Sequence, residues 1–340
     1  MQSVLLRLVQ MQFSPSFPDA IQNNPKKMQP IWRKLTNSDR IKPVKKIDLI
    51  LSLILLITFA GCATTPQSRE ILAARGALPP SYEIRGVPFV EQLEKQCGPA
   101  ALAMVAQYSG LSVSLTELSG MMFTPAKQGT FQADFLSSSR RLGLLAVEVN
   151  RLRSLLTEVS NGHPVVVLQN LGSTANPVWH YAVVFGYDLN REMLYLHSGT
   201  EARQEMDLPQ FERTWKKAED WSLVITRPPE LPSTPSDPEI LQAVSSLEKV
   251  KQLENAKLAY QALAKRSQDF SGAYFGWGFT AASLGRWHEA ETAFERAAKL
   301  LPRSLAVWNN LAEVYEHLRK PQLAADALKT IEKLSAPKPK

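Results

Sequence analysis

The stretch "EQLEKQCGPAALAMV" at 91–105 sets one of the chain's two cysteines beside Gly-Pro, directly before an apolar run with helical spacing. Gly98 and Pro99 then occupy the first helical turn, where a proline gives up no hydrogen bond because its N–H would be unpaired anyway. The positive end of the helix dipole faces the sulfur of Cys97 and favours its anionic, nucleophilic form. Such a nucleophile needs a proton partner, normally a histidine, and the pair then drives acyl transfer. Of the five histidines, His288 and His317 lie in a repetitive helical region and are set aside. His163, followed by Pro164, opens an apolar strand, and His197 ends another. His180, in "NPVWHYAVVFGYD", is delivered by a Gly/Ser/Asn/Pro loop to the first turn of a strand. There it is fixed by the sheet yet reachable by substrate. His180 is the best placed of the three, with His163 and His197 as alternatives.

The elements that must hold these groups follow from periodicity and punctuation. "GPAALAMVAQYSG" (98–110) and "FQADFLSSSRRLG" (131–143) each have helical apolar spacing and a terminal glycine, the usual helix stop. "LLAVEV" (144–149), "PVVVLQN" (164–170), "WHYAVVFGYD" (179–188), "EMLYLH" (192–197) and "WSLVIT" (221–226) read as strands. Helices come first and strands cluster later, an α+β order rather than alternating βαβ units. "RPPELPSTPSDP" (227–238) holds five prolines in twelve residues and reads as a semi-rigid linker. At 340 residues the chain is long enough for two domains with separate cores.

The formal charge of +7 is concentrated at the front, where residues 1–61 carry nine Lys/Arg and three Asp/Glu. The folded remainder is near neutral and lacks the basic patch that nucleic-acid binding requires. "KPVKK" (42–46) precedes Asp48 and the run "LILSLILLITFA", ending in "FAGC" at 59–62. Twelve residues are too few to span a bilayer comfortably but fit the apolar core of a secretory signal. The segment resembles a bacterial lipoprotein signal, with Phe59 in place of the usual leucine. The resemblance implies a lipid on Cys62 and a mature chain beginning there; residues 1–27 read as neither signal nor domain, which makes Met28 a candidate translation start. The absence of Asp after Cys62 implies the outer membrane, facing the periplasm. Cys97 is then the remaining thiol, unable to form an intramolecular disulfide even in an oxidising compartment.

The C-terminal part repeats with a 34-residue period in windows beginning at Asp237, Ser271 and Leu305. The fourth place holds Ile240, Tyr274 and Trp308, and the twentieth Ala256, Ala290 and Ala324. The twenty-fourth holds Tyr260, Phe294 and Leu328, and the twenty-seventh Leu263, Ala297 and Ile331. Gly278 and Pro302 stand at the eighth and thirty-second places of the middle window. The pattern resembles tetratricopeptide (TPR) repeats, in which small residues let paired antiparallel helices approach closely. Three repeats is the practical minimum for a stacked core.

"QLEKQCGPAALAMV", followed some eighty residues later by "WHYAVVFGYD", resembles the papain-like cysteine peptidases that cut double-glycine leaders from bacteriocins, cysteine peptidase family 39. The resemblance implies Cys97 as nucleophile and His180 as general base and acid. It also implies an upstream glutamine in the oxyanion hole: Gln92 matches, five residues before Cys97, with Gln96 the nearer alternative. The family usually orients its histidine with Asp or Asn at the end of the following strand. Here Ser198 stands at that place, with Asp188 and Asn170 as alternatives. The expected fold is an α+β papain-like peptidase domain followed by an all-α TPR domain. Its divisions are an extension and signal at 1–61, a tether at 62–84, the peptidase domain at 85–227, a linker at 228–237 and three repeats at 238–336.

The expected function is that of a lipid-anchored cysteine peptidase, with TPR repeats that bind substrate or a protein partner. A non-catalytic periplasmic peptide-binding adaptor is the alternative, as is an acyltransferase or amidase using the same Cys–His pair. No cofactor or metal is expected: the sequence shows no metal-ligand cluster. The G-x-x-x-x-G-K-[ST] loop of a nucleotide-binding cassette is also missing from it.

Overall fold

A twisted antiparallel sheet organises the first half of the protein. The computed structural model describes residues 65–92, 95–122 and 129–336. Cys62 and the signal-like run lie outside the described residues. The strands are β1 (Ser81–Glu83), β2 (Leu145–Glu148), β3 (Val165–Asn170), β4 (Trp179–Asp188), β5 (Met193–Ser198), β6 (Glu201–Asp207) and β7 (Ser222–Thr226). Their spatial order is β2-β7-β3-β4-β5-β6, every pairing is antiparallel, and β1 joins the distal end of β4. All six residues of β3 are buried, so this central strand is covered on both faces, and its unbroken apolar run follows from that. Val166 and Leu168 point into one core and Val165 and Val167 into the other, the two-residue alternation of a strand.

Three helices cover each face. α2 (Cys97–Tyr108), α3 (Leu115–Met122) and α4 (Gln132–Arg141) lie on one side. They contribute Ala100–Ala106, Leu118 and Phe135 to its core. α1 (Pro66–Ala73), α5 (Leu152–Ser160) and α6 (Leu208–Lys216) lie on the other. Their Ile71, Leu155, Phe211 and Trp215 are all buried there. The expected tether at 62–84 is corrected here, because from Thr65 onward the segment belongs to the domain. Glu212, almost fully buried, accepts from the backbone N–H groups of Gln67 (3.0 Å) and Ser68 (2.7 Å) and from Ser68 Oγ (2.6 Å). These are the orphan donors that open a helix. α1 thus takes its cap from a carboxylate far along the chain. Gln67 Oε1 in turn accepts from the Leu152 N–H that opens α5 (2.7 Å), and β1 completes the docking.

The repeat region forms α7 (Asp237–Lys249), α8 (Leu253–Arg266), α9 (Ser271–Ser283), α10 (Trp287–Leu300), α11 (Leu305–His317) and α12 (Pro321–Ser335). The small residues of the period sit where helices meet. Ala290 is fully buried, and a Cβ on Gly278 would fall 2.8 Å from the Phe294 ring. The first helical pair packs on the sheet: Leu145 of edge strand β2 shares a core with Ile240, Val244 and Leu247 of α7. An otherwise open sheet edge is thereby covered.

The Pro-rich segment between the two halves is strapped to both. Glu158, at the end of α5, accepts from Ser233 N (3.0 Å), Thr234 N (2.5 Å), Thr234 Oγ1 (2.6 Å) and His163 Nδ1 (2.7 Å). His163 Nε2 reaches Glu230 at 3.0 Å. From the other side Arg266 of α8 donates to the carbonyls of Pro232 and Pro235 at 3.0 and 2.8 Å. Burial pulls His163 down, but Glu158 and Glu230 together hold it above the ordinary histidine value. Burial raises Glu158, and its bonds to His163, Thr234 and Ser233 carry it below the ordinary carboxylate value.

A raised histidine stabilises the fold fully below its unfolded pKa, 6.5, and loses that effect as pH rises through the folded value. A lowered carboxylate stabilises above its unfolded value, 4.5, and loses the effect as pH falls through the folded one. The clamp is therefore strongest between those two values. His163→Gln should cost about 3 kcal/mol at pH 5.5, the low end for breaking a buried pair, since Glu158 keeps its other donors. The deficit should shrink as pH rises and the wild-type imidazole itself loses its charge. Tm measured from pH 5 to 9 on both proteins checks this; a deficit constant across the range would refute an ionic clamp.

Candidate active site

Cys97 is the first residue of α2 and half-buried. Behind it the residues Gly98 to Ala106 are all buried, so the helix start that carries the sulfur is seated in the core. His180 enters from β4, where it pairs with Gln169 of β3. The two side chains open onto one cleft of about 840 Å³. His180 Nε2 meets Ser198 Oγ at 2.9 Å, which leaves Nδ1 as the ring nitrogen available to the thiol. Burial holds His180 below the ordinary histidine value, so the imidazole is neutral at pH 7 and can accept a proton.

Gln92 lines the same cleft and is held on three sides. Its Nε2 donates to the Tyr181 carbonyl (3.2 Å), its Oε1 accepts from Gly199 N (3.0 Å), and its backbone N–H donates to the Gly199 carbonyl (3.1 Å). An amide nitrogen carries two hydrogens, so one remains for a ligand in the cleft. Gln96, the nearer sequence alternative, is the N-cap residue of α2 and accepts from Ala100 N through its backbone carbonyl.

The three orienting candidates separate clearly. Ser198 touches the imidazole. Asp188 lies eight residues along β4 from His180, a distance on the order of 26 Å in extended chain. Its Oδ1 accepts from Asn190 N and Arg191 N at 2.9 and 3.1 Å, closing the β4–β5 turn. Asn170 Oδ1 accepts from Gly172 N and Val178 N, both 3.0 Å, and shapes the loop that leads to His180. The other histidines are engaged elsewhere. His163 belongs to the strap, and His197 stacks on Phe185 with its ring nitrogens on the Ala202 and Val87 carbonyls.

Several cleft residues gave no signal in the sequence. Gly129–Gln132 form one wall, and the Tyr181 hydroxyl donates to the Thr130 carbonyl at 3.2 Å. Phe131 and Trp179 stand about half exposed at the rim. Trp179 could have been read as unusual, an aromatic at an exposed strand start beside a candidate base. Nothing in the periodicity marks 129–131.

Residues 84–222 match the model of the Peptidase_C39 like family. Over this segment the chain is similar to the C39-like peptidases. No curated protein sequence matches the chain significantly. Among solved structures, a C39-like peptidase from Bacillus anthracis is similar at 18% identity over 43% of this chain and 98% of its own, with a TM-score of 0.37. The peptidase domain of Streptococcus ComA, a bifunctional ABC transporter of a quorum-sensing pathway, is 22% identical over 41% and 98%, with a TM-score of 0.35. YrrB, a TPR protein with an unusual peptide-binding site, is 23% identical over 29% of this chain and 52% of its own, with a TM-score of 0.28. The C39-like domain is followed by the helical TPR region, the order expected from the sequence.

Proposed function

We propose that the chain is a cysteine peptidase of the bacterial cell envelope, anchored by a lipid on Cys62 at the periplasmic face of the outer membrane. Its TPR helices bind the substrate or a protein partner. The observation that carries the catalytic reading is the convergence of Cys97, His180 and Gln92 on one cleft of the C39-like domain, with Ser198 on the far nitrogen of the imidazole. In this reading the thiol proton passes to His180 Nδ1 as the sulfur bonds to the substrate carbonyl carbon. The resulting oxyanion is met by the Cys97 backbone N–H and the second hydrogen of Gln92 Nε2. Collapse breaks the C–N bond, and His180 gives its proton to the departing amine. Water then attacks the thioester, losing a proton to His180, and the sulfur leaves with that proton restored.

The anchoring part of the reading rests on the signal-like run ending at Cys62. Since Thr65 is already buried against the domain, a lipid on Cys62 would hold the catalytic unit within roughly 11 Å of the membrane surface. One observation favours a second reading, that of a peptide-binding adaptor: Ser198 orients the imidazole without supplying negative charge. Alkylation by iodoacetamide at pH 6 separates the two, because an ordinary thiol is only about 0.3% ionised there. Cys97 in the mature chain should react at least about tenfold faster than free cysteine, and a peptide library should be cleaved. Labelling no faster than free cysteine, with no cleavage, would leave the adaptor reading standing and overturn ours.

A further inference from the structure

Helix α4 has one end in the cleft and the other on the first TPR repeat. At its N-terminal end Phe131 is the N-cap residue, with its N–H on Asp134 Oδ2 at 2.7 Å and its carbonyl accepting from Asp134 N at 3.0 Å. The wall residues Phe131 and Gln132 therefore move with the helix. Thr130, just before them, presses on the residue that follows the nucleophile. A Cβ built on Gly98 would lie 2.6 Å from both Cβ and Oγ1 of Thr130 and 2.8 Å from its Cγ2. No side chain fits there while Thr130 stays in place, so this close approach explains why residue 98 is glycine. The Tyr181 hydroxyl, on the strand that carries His180, holds the Thr130 carbonyl.

At the C-terminal end the contacts belong to the repeat. Gln252, preceding α8, donates through Nε2 to the Arg141 carbonyl at 2.8 Å, one of the carbonyls a helix end leaves unpaired. Asn255 donates to Gln252 Oε1 at 3.1 Å, so the two amides act as one block. That block abuts Gly143, which ends the helix with a φ of 76°. A Cβ there would stand 2.2 Å from Asn255 Nδ2. The body of α4 is gripped by the core through Phe135, Ser138 and Ser139, all fully buried. A ten-residue helix is short and stiff, about 15 Å long, and shifts as a unit between its two ends.

We propose that the first TPR repeat sets the catalytic cleft, with Gln252 and Asn255 acting through α4 as positioning residues for the Thr130–Gln132 wall beside Cys97. The substrate site then spans both domains structurally, although every group that would touch the reacting bond lies in the C39-like domain. This inference rests on the peptidase reading. The wall lines the cleft that receives the substrate, so loosening it raises KM and spares the chemistry.

The test uses the full mature chain with Gln252→Ala, and with Gln252→Glu, which keeps the shape but cannot donate to Arg141. Both should raise KM for a cleaved peptide roughly 2- to 30-fold, the span of coupling through such contact chains. kcat and the iodoacetamide rate at Cys97 should stay within about twofold of wild type. Amide hydrogen exchange should quicken at residues 130–136 and stay unchanged in α11 and α12. Exchange reports on the coupling even in a chain that cleaves nothing, an outcome that would sink the peptidase reading alone. Wild-type exchange at 130–136 in both variants would overturn the coupling. Faster exchange with unchanged KM, or loss of kcat and labelling together with KM, would overturn the positioning role.

Discussion

Cys97→Ala and His180→Ala should each abolish peptide hydrolysis, and the double variant should be no slower than either. In the proposed mechanism the two side chains meet the substrate as a unit: without the sulfur no acyl-enzyme forms, and without the imidazole nothing takes the thiol proton or returns it to the amine. Groups that act together show such non-additivity. A positioned base alone is worth roughly 10²–10⁴ in rate, and loss of the nucleophile should cost at least as much. Burial lowers the His180 pKa, so the acid limb of kcat/KM should fall below 6.5, the ordinary histidine value. His180→Ala should also slow iodoacetamide at Cys97. Full thiol reactivity in that variant would refute the pairing, whatever happened to turnover. Equal residual activity in all three variants, with unchanged Tm, is the pattern of a shared mechanism.

Groups whose role is local were readable from the chain, and groups defined by distant partners were not. Cys97 announced itself by Gly-Pro and an apolar helix, and α2 begins at that residue. β3, β4 and β7 fell within a residue of expectation, because buried strands carry unbroken apolar runs. β6 was missed: "EARQEMD" lies at the sheet edge with most of its residues open to solvent, and an edge strand needs no apolar alternation. α1 lies within the segment expected as a tether, and its sequence does not mark it because its capping carboxylate, Glu212, is supplied by α6. The 34-residue period exposed the repeats, since small residues recur where helices meet, as Gly278 does against the Phe294 ring. Their attachment to the sheet through Leu145 and to α4 through Gln252 leaves no such trace. In the candidate site, the choice between Ser198 and Asp188 depended on where β4 and β5 pair, and the structure puts Ser198 on the imidazole.

Gln92→Ala should lower kcat/KM by about 10²–10³, the loss seen when one oxyanion donor is removed. Size alone does not prove that role, because Gln92 also bonds the Tyr181 carbonyl and the Gly199 N–H. Gly199 follows Ser198, so alanine at 92, which keeps only the backbone bond to the Gly199 carbonyl, loosens the turn that holds the orienting hydroxyl as well. Gln92→Glu separates the two effects. Its carboxylate still accepts from Gly199 N and keeps that side of the turn, but it loses the bond to the Tyr181 carbonyl, has no N–H for the oxyanion and sets a negative charge beside it. If Gln92 donates to the developing oxyanion, Gln92→Glu should be at least as slow as Gln92→Ala, mainly in kcat. If Gln92 only braces the turn, Gln92→Glu should recover most of the activity that alanine loses. Ser198→Ala gives the scale for the turn's own contribution. It removes the group on His180 Nε2 without touching the oxyanion donors, and an orienting group should cost less than a partner that makes or breaks bonds. A Ser198→Ala loss as large as that of Gln92→Ala, with Gln92→Glu near wild type, would move the whole effect from oxyanion stabilisation to imidazole alignment.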